Sequence, residues 1–510
     1  MTLPDLRALL ASGGDDRLAL DVGSGLNLYG YDAAPRPRDI AMGSSTASAI
    51  SAHAFDAVQS YHERLTADIR ARGAAAVYAA EIDIIRDRIR SALGWHGPAP
   101  AVDILTAPSG TDIHLLAASL LAPEDRPLVT ITLAGSETGS AIGTACSGRH
   151  FASHSPGGTE VARGDPLDRA YANITLAVRD AAGSLRDESE IEAQLDTEIA
   201  AAIAAGRDCL LVVADVSKTG LIAPGLETVF RLRTRHGARL HVLIDACQLR
   251  ISPAVLRAYL DLGLSVAITG SKFLGGPIFS GALLIPKPVA VPLRARRLPD
   301  AMADYLSSAD FPVGWAARSD LPQRANIGVL LRWHAALLEW ERLLAVPAST
   351  VARVTRTFAH AVDYRLRRDP AFEVIATRPL DRRFLQLAPQ ALQAHDTLPT
   401  VFPFLLSRRN AAGRRIGLLN ADETRAVYER LARGAGATQV VRLGQPVSLG
   451  VRHGVKVSAL RLCLSARQIV AAASGVASLE ALLAEAMTAL NITALNAIDV
   501  TAASTARAAA

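Results

Sequence analysis

Three short stretches of the chain combine residue types that could bind an anionic, aromatic cofactor. The first, Ser109-Gly110-Thr111-Asp112, lies between a predicted strand and a predicted helix. Glycine permits a close approach at such a turn, and the free backbone N–H groups at the start of a helix favour a phosphate group. An ordinary helix cap explains the same residues, because Ser and Thr side chains accept hydrogen bonds from the first turn.

The second stretch carries Asp245 at the carboxyl end of an apolar run, which is where α/β sheets bind their ligands. A carboxylate at this place could hold a pyridine nitrogen in its protonated form, which makes the ring an electron sink. Gln248, three residues later, could face the same ligand. The alternative role for Asp245 is to cap the segment that follows the strand.

The third stretch carries Lys272, which follows an apolar strand and has Gly270 before it and Gly275 and Gly276 after it. A lysine in such a turn is poorly placed as a solvated charge, and covalent chemistry with a carbonyl group requires the neutral amine. We expect the glycines to leave room for a bulky aromatic ring. A lysine in a surface turn is the alternative interpretation.

These stretches must be positioned by a large domain in which short apolar strands alternate with helices. Apolar runs without alternation, separated by helices, indicate a mostly parallel sheet that is covered on both faces. We predict a large α/β domain over residues 61–345, an N-terminal segment over 1–60 that packs on the small domain or the active site, and a smaller α+β domain over 346–510. The predicted strands of the large domain are Val102–Leu105, Leu128–Leu133, Cys209–Ala214, Leu240–Ile244, Ser265–Thr269 and Ser280–Ile285.

Composition argues against several classes of protein. The net charge is +5 in 510 residues, so nucleic-acid binding is not expected. The four cysteines show no metal-ligand spacing, and His150 and His154 lack a third ligand, so we predict reduced thiols and no metal site. With no secretory signal and no apolar run of about 18 residues, we expect a cytoplasmic protein without a membrane span.

The order and spacing of the three stretches resemble those of fold-type I enzymes that depend on pyridoxal 5'-phosphate (PLP). Lys272 lies 27 residues after Asp245. The resemblance is greatest to the class V aminotransferase and cysteine desulfurase branch, in which Asp-x-x-Gln is followed by Ser-Gly-His-Lys. It implies the aspartate-aminotransferase-like fold, a mostly parallel seven-stranded sheet between helices with a smaller C-terminal domain. It also implies a homodimer with active sites at the interface.

The resemblance assigns roles to individual residues. Lys272 matches the lysine that carries PLP as a Schiff base and moves the substrate proton, and Asp245 matches the partner of the pyridine nitrogen. Gln248 matches the residue near the phenolic oxygen. Ser271 stands where the family usually has histidine, which puts a desulfurase-type proton relay in doubt. The residues that match the phosphate site are Ser109, Gly110, Thr111 and Thr269.

Further positions follow from the resemblance with open alternatives. Either Glu137 or Thr138 is expected near the ring, in a loop that lacks the usual aromatic residue. Ser217 and Lys218 fall where the family contacts the ring oxygen, or are only loop residues. Arg324 and Asn326 fall where a neighbouring subunit reaches the phosphate, or simply start a helix. The candidates for binding the substrate are Arg461, for its carboxylate, and Asn27 and Ser45 of the N-terminal segment.

The resemblance implies an enzyme that acts on a small amino acid or related amine. Transamination is the expected reaction, and a lyase reaction, by elimination, desulfuration or decarboxylation, is the alternative. A PLP-fold protein that binds without catalysis is a third hypothesis. Intact Lys272 and Asp245 favour an enzyme.

Overall fold

The computed structural model describes residues 3–96, 101–122, 126–168, 170–410, 412–434 and 439–509, with side chains as far as residue 504. The helices are α1 (Leu6–Leu10), α2 (Ala52–Arg72), α3 (Ala74–Ala92), α4 (Gly110–Leu121), α5 (Ile142–Cys146), α6 (Glu188–Ala204), α7 (Leu226–His236), α8 (Pro253–Asp261), α9 (Lys287–Leu293), α10 (Ile327–Leu344), α11 (Ala348–Arg368), α12 (Ala394–Thr397), α13 (Ala421–Arg433), α14 (Ala466–Ala472) and α15 (Val476–Ala509). The strands are β1 (Ile40–Met42), β2 (Val102–Ala107), β3 (Leu128–Leu133), β4 (Ala172–Leu176), β5 (Asp208–Asp215), β6 (Ile222–Ala223), β7 (Leu240–Ala246), β8 (Ser265–Thr269), β9 (Gly281–Pro286), β10 (Phe372–Val374), β11 (Val401–Arg409), β12 (Arg415–Leu418), β13 (Val441–Arg452) and β14 (Val455–Cys463).

The large sheet confirms the predicted fold class. Seven strands follow the order β2-β9-β8-β7-β5-β3-β4, and β6 pairs with β5. Along the seven-stranded path, neighbouring strands are parallel except around β9, which is antiparallel to both β2 and β8, and β6 is antiparallel to β5. Every residue of β2, β3, β5, β8 and β9 is buried, as expected for strands with helices on both faces of the sheet.

The smaller sheet combines the C-terminal part of the chain with one strand from the N-terminal segment. Its order is β1-β13-β14-β11-β10, with β12 paired to β11. Ile40–Met42 pairs in parallel with Val441–Leu443, so residues just after β1 are fixed beside β13 and β14. The helices α2 and α3, which follow, pack against α10.

The last helix, α15, is long and apolar enough to cross a membrane by length and composition alone. The 29 residues Val476–Ser504 meet that criterion, although the sequence analysis expects no such segment. The helix packs against α11, α13 and α14 and buries Ala486, Ala489 and Leu490. This one-sided burial is also what an ordinary core helix shows.

A buried ion pair joins the segment after β10 to the carboxyl end of β5. The guanidinium of Arg382 contacts both carboxylate oxygens of Asp215, and the hydroxyl of Tyr259 donates to the same carboxylate at 2.6 Å. Both charged side chains are almost fully buried. Breaking such a pair by removing one member leaves a buried charge without its partner.

The substitution Arg382→Met is therefore expected to lower the free energy of unfolding by about 3–5 kcal/mol. Urea unfolding followed by circular dichroism measures the change. Arg383→Met is the matched control, because the Arg383 side chain is 90% exposed, and it should change the value by no more than about 0.5 kcal/mol. Equal effects of the two substitutions would contradict this role for the buried pair.

Candidate active site

The three stretches singled out in the sequence meet in one cavity at the carboxyl ends of the large-sheet strands. The cavity has a volume of about 170 Å³. It lies where ligands are expected in an α/β sheet, beyond the ends of β2, β3, β5, β7 and β8. The predicted site residues that line it are Ser45, Ser109, Gly110, Thr111, Thr138, Ser217, Asp245, Gln248, Thr269, Ser271, Lys272 and Arg461.

The phosphate loop, residues 109–112, opens α4 at one end of the cavity. The Ser109 hydroxyl accepts a hydrogen bond from the backbone N–H of Asp112 and so caps the helix. A Cβ atom on Gly110 would lie 2.9 Å from the Cys247 sulfur and 3.1 Å from a methyl carbon of Thr269. Only glycine therefore fits here without displacing its neighbours, and the start of a 12-residue helix faces the cavity.

Arg17 of the N-terminal segment reaches this loop, which the sequence analysis did not anticipate. Its guanidinium donates to the Thr111 hydroxyl at 3.1 Å and makes two hydrogen bonds to Asp15 at 2.6 and 2.8 Å. The side chain also lies over the rings of Phe151 and Phe279. No local pattern marks this arginine, because it lies 94 residues from Thr111 in the chain.

The acidic residue of the phosphate loop is partly neutralised. Burial, followed by repulsion from Asp15, raises the pKa of Asp112 to about 7, although hydrogen bonds from Ser109 and the charge of Arg17 act in the opposite direction. A carboxyl group that holds its proton for part of the time near neutral pH repels a neighbouring anion less than a full carboxylate does.

His114 and Asp245 form a buried pair beneath the cavity. Nδ1 of His114 lies 2.6 Å from the carbonyl oxygen of Gly110, and Nε2 lies 3.5 Å from Oδ2 of Asp245. Because a carbonyl only accepts, Nδ1 carries a hydrogen. A neutral ring would then turn a lone pair towards the carboxylate, so the arrangement favours the doubly protonated imidazolium.

Electrostatics of the pair agree with this protonation state. Burial, the largest single effect, would lower the pKa of His114, but the Asp245 carboxylate and the carbonyl oxygen of Gly110 together raise it. Burial by itself would raise the pKa of Asp245, yet His114, Lys272 and the backbone N–H of Cys247 together hold it well below its usual range. The cavity therefore has a permanent carboxylate at the end of β7.

Lys272 follows β8 in a tight turn. Its carbonyl oxygen accepts a hydrogen bond from the Ser48 hydroxyl, and its side chain lines the cavity. The expectation that the flanking glycines leave room for a ring is wrong for two of them. A Cβ on Gly270 or Gly276 would lie 2.3 or 2.7 Å from the Cβ of Ala336, so these glycines let the turn pack against α10.

Hydroxyl groups on the same turn are already hydrogen-bonded. Thr269 donates to the carbonyl oxygen of Cys247 at 2.5 Å, and Ser271 donates to Thr269 at 3.4 Å. Gln248 is held at both ends of its amide, since it accepts from Arg250 at 2.9 Å and donates to the Ser45 carbonyl at 3.4 Å. These contacts fix the side chains that line this part of the cavity.

Glu137 and Thr138, either of which was expected near the ring, both line the cavity. Their side chains have different hydrogen-bond partners. Glu137 is buried and accepts hydrogen bonds from Arg179, Ser217 and Thr219. The Thr138 hydroxyl turns back to the carbonyl oxygen of Leu133 at 3.3 Å. The Glu137 carboxylate therefore holds the loop that carries Ser217 and Thr219 in place through these hydrogen bonds.

Lys218 and Arg461 lie next to each other on the cavity wall. The guanidinium of Arg461 donates to the carbonyl oxygen of Lys218 at 3.5 Å and to the Thr46 hydroxyl at 3.0 Å. Burial, together with the charges of Arg461 and Lys272, lowers the pKa of Lys218 to about 7, and Glu137 opposes this only in part.

Three predicted residues do not line the cavity, and each has a structural role instead. Arg324 donates to the carbonyl oxygens of Ala303, Asp304 and Leu306. The Asn27 side chain accepts hydrogen bonds from the backbone N–H groups of Tyr29 and Tyr31 and so closes a turn. Its neighbour Tyr29 lines the cavity. Asn326 caps α10 through Val329 and donates to the carbonyl oxygen of Gly13. The assignment of Asn27 to the substrate is therefore corrected, and within its own chain Asn326 is a helix cap.

Several lining residues were missed by sequence reasoning. His114 offered a signal, because it is one of the few polar residues in the apolar helix α4. Tyr29, Phe279 and Gln445 offered none, since each reaches the cavity only through the fold.

Comparison with known proteins identifies this fold. No protein-family model matches the chain, and no curated protein matches it. Among solved structures, the cystine C-S lyase C-DES in complex with its product cysteine persulfide is 14% identical, with a TM-score of 0.53 over 88% of this chain and 97% of that one. A mutant of C-DES with glycine covalently linked to its PLP cofactor gives a TM-score of 0.52 at 14% identity, over 88% of this chain and 96% of that one.

A third structure, described as a NifS-like protein, is also 14% identical, with a TM-score of 0.52 over 89% of this chain and 99% of its own. These likenesses show the fold. They confirm the predicted fold, which the chain shares with C-DES and with the NifS-like protein.

The His114 and Asp245 pair predicts a specific titration behaviour. In the wild-type protein, His114 should stay protonated above the ordinary histidine pKa of about 6.5. In Asp245→Asn the charged partner is lost and burial dominates, so the pKa of His114 should fall below that value. Nuclear magnetic resonance of ring-labelled histidines measures both proteins.

His395 is the internal control in that experiment. Its pKa is lowered by burial, and Asp245 is not among the groups that shift it, so it should titrate alike in both proteins. Because the folded-state pKa of His114 is raised and that of Asp245 is lowered, the pair stabilises the fold fully only between about pH 4 and pH 6.5. The contribution is lost as the pH rises through the raised pKa of His114, and also as it falls through the lowered pKa of Asp245. An unchanged His114 titration in Asp245→Asn would contradict the pairing.

Proposed function

We propose that the protein is a PLP-dependent enzyme that acts on an amino acid, with Lys272 as the residue that holds the cofactor. The observation that carries this proposal is the buried carboxylate of Asp245, charged and paired with His114, in the same cavity as Lys272. A permanent anion beneath an aromatic-sized cavity suits a protonated pyridine nitrogen.

The residues of the cavity fit PLP at both of its polar ends. Gly110, Thr111 and the start of α4 suit a phosphate group, and Arg17 adds a positive charge beside Thr111. The apolar residues Ile142, Ala214 and Val216 also line the cavity. Apolar walls with a few placed polar groups are typical of cofactor sites.

PLP, when bound, supplies an electron sink that stabilises negative charge on the substrate carbon next to the amino group. The Lys272 amine is then the group that removes or returns the proton at that carbon. Asp245 holds the ring nitrogen in its protonated form, and His114 keeps Asp245 charged. Arg461 and Ser45 orient the substrate through its carboxylate, because a guanidinium suits bidentate binding of that group.

We propose transamination as the reaction. A desulfurase that takes the substrate sulfur onto its own chain as a persulfide needs a reactive cysteine. Among the described residues that line the cavity, Cys247 is the only cysteine. Burial, followed by the charge of Asp245, raises the pKa of its thiol well above the usual range, so it stays protonated. Assembly as a homodimer, a role for Asn326 at a second copy's site and a cytoplasmic location stay predictions from the sequence.

The purified protein should develop a visible absorption band when PLP is added, and Lys272→Ala should not. Lys456→Met is the matched control, because Lys456 is an exposed lysine on β14, and it should keep the band. A wild-type protein that takes up no PLP would contradict the proposal.

Product analysis then identifies the reaction. Under transamination, more keto acid than one equivalent of the bound cofactor forms from the amino acid only when a second keto acid is supplied to accept the amino group. Release of ammonia without an added keto acid would show a lyase instead. Uptake of PLP without any turnover across the amino acids would identify a binding protein.

Arg17 is predicted to hold the phosphate end of the cofactor. Arg17→Met should weaken PLP binding by roughly tenfold to a hundredfold, because it removes a charge-assisted hydrogen bond worth about 1.5–3 kcal/mol. Spectral titration of the apoprotein with PLP measures the affinity. Arg7→Met serves as the control, since the Arg7 side chain is 60% exposed. Equal affinity of the Arg17→Met and wild-type proteins would place the phosphate elsewhere.

A further inference from the structure

The cavity wall formed by Lys218 and Arg461 carries positive charge that has only neutral partners. The Arg461 guanidinium donates to the Thr46 hydroxyl at 3.0 Å and to the carbonyl oxygens of Gln445 and Lys218 at 2.6 and 3.5 Å. Nζ of Lys218 donates to the carbonyl oxygen of Gly135 at 2.9 Å. Within the part of the chain that the structure describes, neither side chain forms an ion pair.

The nearest carboxylate cannot neutralise this wall, because it is already occupied. Glu137 accepts hydrogen bonds from Arg179 at 2.9 Å, Ser217 at 2.7 Å and Thr219 at 2.5 Å, and these use both of its oxygens. Its charge is thus balanced by Arg179. The charged groups that act on Lys218 are Arg461 on β14, Lys272 after β8 and Glu137 after β3, so two of the three are cations.

Arg461 also differs from the other buried arginines of the fold. Among the described residues, Arg250 and Arg332 have no carboxylate partner either, but every nitrogen of each guanidinium donates to an oxygen of the protein, and neither lines the cavity. In Arg461, Nε is buried without an acceptor, and the buried hydroxyl of Ser45 is likewise without a partner. A Cβ on Gly444 would lie within 2.8 Å of both atoms, so the two unused groups are neighbours.

Unused buried donors are costly unless a ligand satisfies them. Ser45 and Arg461 both line the cavity, so an anion bound at this wall would supply the negative charge that Arg461 lacks. Lys218, whose backbone carbonyl contacts Arg461, provides a second positive group close by.

The choice of lysine at position 218 is itself informative. The chain has 54 lysines and arginines, of which only Lys218, Lys272, Lys287 and Lys456 are lysines, and two of these four line this cavity. Arginine keeps its charge at every accessible pH, whereas a lysine among other cations can lose its proton until an anion binds.

We propose, on the basis of the function proposed above, that the substrate is an acidic amino acid with two carboxylates. The carboxylate beside the amino group binds Arg461 and Ser45. The side-chain carboxylate binds Lys218. Together the two anionic groups balance the two cations that the protein leaves without carboxylate partners.

The test compares amino acids that differ only by a carboxylate and an amide. The PLP-loaded full-length protein is titrated with aspartate and asparagine, and with glutamate and glutamine, while the cofactor absorption band is followed. At pH 6.5 the acidic member of at least one pair should bind about tenfold to a hundredfold more tightly. As the pH rises, Lys218 loses its proton, and at pH 9 the preference should shrink.

Three variants test whether Lys218 causes the preference for the acidic amino acid over its amide. Lys218→Met should reduce the ratio of the affinities for acid and amide to near one. Lys218→Arg should keep this ratio at both pH values, because arginine does not lose its proton in this range. Lys456→Met, the exposed control, should behave as the wild type.

Equal binding of acid and amide by the wild-type protein, or a preference that survives Lys218→Met, would overturn the proposed substrate class. Loss of the cofactor band itself in both Lys218 variants would overturn it too, because Lys218 would then serve the cofactor. In all these cases the wild-type protein still takes up PLP. Failure of the wild-type protein to take up PLP would instead contradict the proposed function.

Discussion

The contact between His114 and Asp245 is the interaction on which the rest of the site depends. It places a carboxylate at the end of β7 and keeps it charged in a buried position, which requires a positive partner within a few ångströms. The carbonyl oxygen of Gly110 fixes the orientation of His114, so the phosphate loop and Asp245 are tied to one another through a single imidazole. The carbonyl oxygen of Gly110 in the phosphate loop thus orients the imidazole that keeps Asp245 charged.

The second constraint is that the N-terminal segment joins the smaller sheet and also contacts the phosphate loop of the large domain. Its strand β1 pairs with β13, which brings Ser45 and Thr46 beside Arg461, while Arg17 extends to Thr111. The cavity is therefore closed by three parts of the chain that are far apart in sequence. This explains why the site carries positive charge at both ends, from Arg17 at the phosphate loop and from Arg461 and Lys218 at the substrate wall.

The sequence alone was enough to predict the large sheet and most of the site. Six of the seven strands along that sheet were predicted, because buried parallel strands are continuous apolar runs. The missed strand, β4, lies at the edge, and its exposed polar residues hide the pattern. The strand β13 was missed because Gly444 and Pro446 interrupt it, and its pairing with β14 shifts register there. Lys272 and Asp245 were found because each directly follows or ends a buried strand.

The residues that the sequence could not supply reach the site through tertiary contacts. Arg17 and Tyr29 come from a segment whose sequence pattern is irregular, and within its own chain Asn326 is the cap of α10. Asn27 was chosen from that same irregular segment, in which the structure uses it to close a turn and places Tyr29 at the cavity instead. Local sequence patterns predict strands and helix starts, whereas the direction of a side chain in a loop depends on the whole fold.

The most direct test of the account is to identify the lysine that holds the cofactor. The protein is incubated with PLP, reduced with borohydride, digested and examined by mass spectrometry. The account predicts a phosphopyridoxyl group on the peptide that contains Lys272 and none on the peptide that contains Lys218. A label on Lys218, or an unlabelled protein, would contradict it.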